Sequence, residues 1–297
     1  MPGLYTVARC RECGFLYQKP RVDDAHLADC YPDHYPRHQE PSPRVPFKGS
    51  PGRVKAARWA LASGLGYAAF RDASVGLWTR LRARRVLRKI RWDCPPWRGQ
   101  GRYLDVGCGS GAPSAWRGPS AGRSREWKWT RRRRRRPGAS PRRFTWATCC
   151  RHRSPRAAST WSPPIHVLEH VPDPVAVLRR MLRWLAPDGL LIVEVPNAGG
   201  LGAAMFGKSW SGLELPRHLS HFSPETLSRA VELAGGRVAW CWHGAKPRYY
   251  LWSLAFALRD VGWPRLARFT EWRPAYGLLK LLLELTLPLA RSGRRGK

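Results

Sequence analysis

The sequence predicts an α/β fold with a mostly parallel central sheet, and three features carry that expectation. The stretch RYLDVGCGSG (102–111) is a short apolar segment running straight into a glycine-rich turn. Between residues 165 and 242, strand-like segments alternate with segments whose apolar residues recur at helical spacing. One of those segments, LLIVEV (190–195), is apolar at successive positions, as a strand buried on both faces must be. Strand–helix alternation of this kind belongs to parallel sheets covered by helices.

In the first of these elements, Gly107, Gly109 and Gly111 occupy alternate positions at the strand's carboxyl end. Glycines there let the backbone approach a ligand closely, and a helix N-terminus is expected next. A glycine turn needs no ligand, so the loop alone is weak evidence. Asp105 strengthens it, because an acid at a strand end can face the amino group of a bound molecule.

The most regular stretch is IHVLEHVPDPVAVLRRMLRWLAPDGLLIVEVPN (165–197). Pro172-Asp173-Pro174 opens a helix, and Val175, Leu178, Met181, Leu182 and Leu185 keep helical spacing. Pro187-Asp188-Gly189 is expected to stop that helix before the LLIVEV strand. SPETLSRAVELAGG (223–236) predicts a second helix, with Ser223 as N-cap, Glu225 in the first turn and Gly235 near the C-cap. RVAWCW follows as a strand.

Charge is the chain's most unusual property, +33 over 297 residues. Such a balance suggests polyanion partners. Residues 113–164 hold 15 Lys/Arg and one acid, Glu126, so a sixth of the chain carries +14. The extreme is EWKWTRRRRRR (126–136). Taken at face value, six consecutive arginines make a solvated loop insertion, since no nucleic-acid recognition fold accompanies them. Eight irregularly spaced cysteines without a signal peptide do not read as a disulfide framework. The apolar run GLLKLLLELTLPLA (277–290) is too short to span a bilayer and contains Lys280 and Glu284. A cytoplasmic protein is the expectation.

Two further patterns bear on metals. Cys10 and Cys13 have zinc-knuckle spacing, but tetrahedral zinc takes four ligands, for which only Cys30, His26 and His34 lie nearby in sequence. His166-Val-Leu-Glu169-His170 fits the H-x-x-E-H pattern of one zinc-protease group. A strand end followed by Val-Pro-Asp-Pro explains that stretch without a metal. Segment 51–92 reads as basic amphipathic helices, which usually pack on a core and sometimes lie on membranes.

LDVGCGSG, IHVLEHVPDP, LAPDGLLIVEVPN and PRHLSHFSPETLSRAVELAG resemble successive signatures of class I S-adenosylmethionine-dependent methyltransferases. The likeness is to a bacterial branch whose members often begin with a cysteine knuckle. It covers residues 1–40 loosely, and 101–111 plus 165–245 closely. It implies a Rossmann-like sheet of seven strands with helices on both faces. The implied division is a partial Cys-knuckle segment (1–40), a helical linker or cap (41–97), a core (98–245) and a helical C-terminal extension (246–297). By position, the cofactor-binding residues would be Asp105, Gly107, Cys108, Gly109 and Gly111, with Ile165, His166 and Val167 at the end of the fourth strand.

The resemblance also exposes a gap. The family has a second strand ending in an acid that holds the ribose hydroxyls, then a third strand with an acid near the adenine. It then has a fourth strand that usually begins Phe-Asp. Residues 113–164 show none of these and no apolar strand. Tryptophan has a single codon, TGG, which allows the gene to be read in a neighbouring frame. There Trp127-Lys128 yields Glu and Trp129-Thr130 yields Asp. With G at free third positions, Ser124–Arg136 becomes Ala-Gly-Val-Glu-Val-Asp followed by an alanine run. RFTWAT (143–148) can become Val-His-Val-Gly-Asp, and STW (159–161) can become Phe-Asp-Val. Three missing features reappear in order, so residues from about 113 to 163 read as translated in a shifted frame. The expectation that follows is a 113–160 segment that is irregular or poorly determined, a first strand with an exposed edge, and cofactor binding that is weak or absent.

The resemblance implies transfer of a methyl group to an oxygen or nitrogen nucleophile of a small-molecule, glycan or lipid-linked acceptor. ELPRHLSHFS (214–223) places His218 and His221 in a loop on the side that usually faces substrate. They are candidates for substrate contact or general base, or else for hydrogen bonds that hold the loop. Two competing readings are a non-catalytic basic scaffold that binds polyanions and a defective gene product. No specific nucleic-acid partner is expected.

Overall fold

The computed structural model describes residues 4–24, 26–31, 50–67, 70, 75–90, 103–106, 124–127, 159–162, 166–243, 247–271, 276–278, 281–282 and 293–295. A hairpin opens the chain, with β1 (Thr6–Arg9) antiparallel to β2 (Leu16–Lys19). Cys10 and Cys13 stand in its turn, where the Cys10 N–H donates to the Phe15 carbonyl at 2.8 Å. The two predicted basic helices follow as α1 (Pro51–Leu65) and α2 (Leu77–Ile90). They meet through alanines, with Ala56, Ala60 and Ala83 fully buried.

The central sheet contains β3 (Tyr103–Val106), β4 (Ser124–Trp127), β5 (Ser159–Ser162) and β6 (Leu185–Leu191). All pairs are parallel and the order is β4-β3-β5-β6. After β4 the chain crosses to the other side of β3, so the two directions of winding part between β3 and β5. Open parallel sheets bind ligands outside the strands' carboxyl ends at such a reversal. Asp105 is the penultimate residue of β3 beside that point.

This arrangement corrects the expectation of an exposed edge on the first strand, while most of 113–160 lies outside the described residues. Two strands form within or at the edge of the segment, and β3 is paired on both sides. Strand pairing is made by main-chain groups that every non-proline residue carries, so polar and basic side chains do not forbid it. Glu126 pairs in register with Asp105, so an acid does stand near the carboxyl end of the second strand. The RFTWAT stretch lies outside the described residues, as do Gly107, Cys108, Gly109, Gly111, Ile165 and the arginine run.

Helix α3 (Pro174–Arg183) begins as expected, with the Asp173 carboxylate accepting from the Ala176 N–H at 2.9 Å. Val177, Leu178 and Met181 are buried. It ends earlier than predicted. The chain passes through Trp184 directly into β6, and Pro187-Asp188-Gly189 lies inside the strand rather than after the helix. Its register against β5 shifts between Ser159/Leu185 and Trp161/Leu190. Proline has no N–H to give a ladder, so an irregularity is where a strand tolerates it. A side chain on Gly189 would place its Cβ 2.9 Å from the Ala186 carbonyl oxygen, so only glycine fits that bend.

Helix α4 (Leu201–Phe206), strand β7 (Ser220–His221) and helix α5 (Pro224–Leu233) come next. Ser223 caps α5 in a reciprocal box with Thr226, and Gly235 has φ +87°, as predicted for the residue past the helix. Strand β8 (Trp240–Trp242) forms where RVAWCW predicts one, but it pairs antiparallel with β9 (Gly293–Arg295) in a separate two-stranded sheet. Between β8 and β9 lie α6 (Pro247–Asp260) and α7 (Pro264–Glu271). Four parallel strands are therefore seen among the described residues, not the seven-stranded sheet of the expectation.

The main core joins α3, α5 and the 167–171 turn through Leu168, Val171, Leu178, Met181, Trp184 and Phe222. The N-terminal hairpin packs onto it. Phe15 meets the Phe222 ring at 5.3 Å, and β2 pairs antiparallel with β7, Leu16 opposite His221. A smaller cluster of Val22, Leu27 and Leu219 fixes the following residues to the same loop. The knuckle segment thus forms one wall of whatever residues 214–222 enclose.

Candidate functional site

Two loops converge on strand β2 of this hairpin. The first follows β5, where His166 takes a left-handed conformation, φ +55°. Its N–H donates to the Glu194 carbonyl at 2.7 Å. A 3-10 turn over Leu168–His170 then drives Leu168 and Glu169 inward. The second loop, 210–222, carries Glu214 at φ +41°, Arg217, His218 and His221. It is joined to the first where the Leu219 N–H donates to the Glu169 carbonyl at 2.7 Å. The third element is β2, whose Gln18 N–H donates to the Leu219 carbonyl at 3.0 Å. Two non-glycine residues at positive φ cost on the order of 1–3 kcal/mol each, and such strain gathers at functional sites.

The side chains form one buried polar network. His166 Nδ1 donates to Glu169 Oε1 at 3.0 Å, and its Nε2 lies 3.7 Å from Glu194 Oε1. Both His218 nitrogens face oxygen acceptors, Nδ1 the Gly212 carbonyl at 2.8 Å and Nε2 the Glu214 carboxylate at 2.9 Å. Neither nitrogen of that ring is left without a partner. Arg217 adds a 2.8 Å contact to the other oxygen of Glu214. His170 Nδ1 donates to the Arg217 carbonyl at 3.1 Å, with the Tyr31 hydroxyl 3.0 Å away, which leaves its Nε2 with the lone pair. The His170 and His218 rings meet edge to face at 4.6 Å.

Burial and mutual charge set the protonation states. Burial first, and the neighbouring charge of His218 second, push His170 and His221 down to about 4. Both are therefore neutral at physiological pH. Burial would raise Glu214, but the hydrogen bond and charge of His218, with Arg217, bring it down to about 2. Burial also works against ionised Glu169, and His166, His170 and His218 together still hold its carboxyl below the usual range.

Three polar groups in this region lack any hydrogen-bond partner. They are His221 Nε2, Glu169 Oε2 and both amide atoms of Gln18, on residues only 3%, 1% and 2% exposed. Buried polar groups are nearly always paired, so orphans clustered in one place call for explanation. Sequence reasoning found His218 and His221 but missed Gln18, Glu169 and Glu214. Of these only Glu169 carried a signal, in the H-x-x-E-H pattern. The structure assigns unlike situations to the two predicted histidines: both nitrogens of His218 are occupied, whereas His221 presents a bare Nε2.

For metals, Glu169, His170 and His218 offer ligand atoms within 4.8 Å of one another, the one such group among the described residues. His218 is already committed on both nitrogens, which makes this a poor ready-made cage. Cys10 and Cys13 gather no third ligand-type residue among the described residues. Hydrogen bonds from the Cys13 and Glu12 backbone lower the Cys10 thiol. Cys30 turns its sulfur toward the His26 carbonyl at 3.9 Å, with its thiol raised by burial, and His34 lies outside the described residues.

For the cofactor, Asp105 stands at the end of β3 beside the winding reversal at β3/β5, where such sheets bind ligands, and the glycine run lies outside the described residues. His166 and Val167 belong to the buried turn, Val167 packing in the main core.

A family model described as a methyltransferase domain matches residues 165–239, the stretch that supplies most of this network. No curated protein matches the chain. Among solved structures it is similar to the [4+2]-cyclase SpnF, at 18% identity and a TM-score of 0.36, covering 74% of this chain and 90% of that one.

Proposed function

We propose that this chain, whose residues 165–239 match a methyltransferase-domain model, is a class I S-adenosylmethionine-dependent methyltransferase whose acceptor is deprotonated by His221. The supporting observation is the unpartnered, buried Nε2 of His221, neutral at physiological pH and neighboured by two further orphaned groups. S-adenosylmethionine, when bound, supplies an electrophilic methyl group. Asp105 and the backbone of Gly107, Gly109 and Gly111 would hold it, with Ile165, His166 and Val167 beside it. The seven-stranded sheet of that fold belongs to the same reading.

His221 is suited to accept a proton from an oxygen or nitrogen nucleophile, since a base must be unprotonated and within reach. Ionised Glu169 would favour the imidazolium that results, and the Gln18 amide would orient the acceptor's polar group. His218, fixed between Gly212 and Glu214, acts as a positioning residue. Most of the rate enhancement in such a displacement comes from alignment. The polyanion-scaffold reading draws on net charge alone and leaves the orphaned groups unexplained.

Calorimetric titration of S-adenosylmethionine into the frame-restored chain and into its Gly109→Val variant tests the assignment. Binding that is lost in a folded G109V is expected, because a β-branched side chain blocks the backbone's approach. Equal affinity in both proteins overturns it.

A further inference from the structure

We propose that the exposed face of α6 and α7 docks on the surface of a bilayer containing anionic phospholipid. The register of β8 on β9 sets Trp242 opposite Gly293, and both helices lie in the chain between these paired strands. Helix α6 is anchored on its inner side. Ser209 Oγ donates to Asp260 Oδ2 at 2.6 Å, the Ser211 N–H donates to Ser253 Oγ at 2.9 Å, and Leu251 and Ala255 are buried. The outer side is apolar. Trp252, Phe256, Val261, Trp263, Leu266 and Phe269 are each between 42% and 64% exposed. Trp252 and Phe256 are one helical turn apart, and Trp263, Leu266 and Phe269 follow at intervals of three. Leu278, Leu281 and Leu282 extend the exposed apolar surface further along the chain.

Charge decides the occupant. Residues 247–297 contain ten Lys/Arg and three acids, one of which, Asp260, is taken by Ser209. Arg248 lies over the Tyr249 and Trp252 rings at 4.8 and 5.5 Å, which places a cation among the exposed aromatics. Aromatic side chains beside arginines are what the headgroup layer accepts, apolar bodies inward and cations at the phosphates. A second copy would bring a +33 chain against another, like charge on like. No helix among the described residues is long and apolar enough to cross a membrane, so the contact is interfacial.

The test is co-sedimentation of the full chain with vesicles of phosphatidylcholine alone or mixed with phosphatidylglycerol, at low and high salt. Binding to the mixed vesicles is expected, with a roughly tenfold loss in the double variant W252S/F256S. A second pair, W263S/L266S, repeats the measurement at another place, and circular dichroism verifies that the helices persist. Both pairs leave net charge unchanged. Contact made only through the arginine run would therefore survive them, and that result overturns the proposal. So does lipid-free self-association that both pairs abolish, which would assign the surface to a second copy, or binding to RNA that both pairs abolish while vesicle binding persists.

Discussion

At the scale of single residues, the two predicted histidines separate into two roles. Replacing His221 by Asn removes the basic nitrogen while keeping a polar side chain. Turnover in an active form of the enzyme should fall by about 10²–10⁴, the usual worth of a general base, while S-adenosylmethionine affinity stays near wild type. Isotherms for cofactor and rates for acceptor separate the two quantities, and an equal loss of both would indicate a structural role. The same residues govern acid stability. His170 and His221 have folded values near 4 against an ordinary 6.5, and Glu214 near 2 against 4.5. All three are depressed on folding, so each adds stability above its ordinary value that is lost as pH falls. The histidine contribution drains between about 6.5 and 4, and the Glu214 contribution between about 4.5 and 2. Urea midpoints should therefore drop steadily from pH 7 to pH 4, and a flat profile across that window contradicts the network.

At the scale of elements, what the sequence discloses depends on how local the cause is. The starts of α3 and α5 were legible because their causes are local: Asp173 and Ser223 act on N–H groups three residues ahead, though only Ser223 reads as a cap from the sequence. Replacing either by Ala should cost about 0.5–2 kcal/mol, read from denaturation midpoints, with no change in active-site chemistry. The end of α3 was not legible. Pro187 is a sound local stop signal, yet pairing with β5 claims Leu185 first and carries the Pro-Asp-Gly as an irregularity within β6. The site shows the same division. The histidines lie in one short motif, whereas Gln18 reaches them from some 200 positions away through the β2–β7 pairing, a tertiary contact that no sequence period signals. Gly212 illustrates a constraint of the same kind. A side chain there would fall onto the Trp210 indole, and its carbonyl must remain in place for His218. Gly212→Ala should therefore disturb the Glu214–His218 pair and lower turnover in an active form more than the capping changes do.

At the scale of the whole molecule, the question is whether residues from about 113 to 163 belong to the fold as written. Of that segment only β4 and β5 are described, and both join β3, so the expectation of an exposed edge on β3 fails. The frame-shift reading then stands on codon arithmetic: Glu forced at Trp127-Lys128, Asp at Trp129-Thr130, and an alanine run beneath Arg131–Arg136. The two versions differ physically. As written, this region carries fifteen cations and one carboxylate, Glu126, in sequence, where the family resemblance expects acids that hold a neutral ribose and adenine. Restored, it presents a Glu and an Asp at the end of an apolar strand followed by a helix-forming run, which suits both hydroxyl recognition and burial. The nucleotide sequence across codons 105–170 is the first observation to make. A chain rebuilt in the alternative frame should bind S-adenosylmethionine at least tenfold more tightly than the chain as written, and should lose the excess nucleic-acid affinity that +14 of charge confers. Equal cofactor affinity in the two proteins would mean that Glu126 suffices and that the written frame is the functional one.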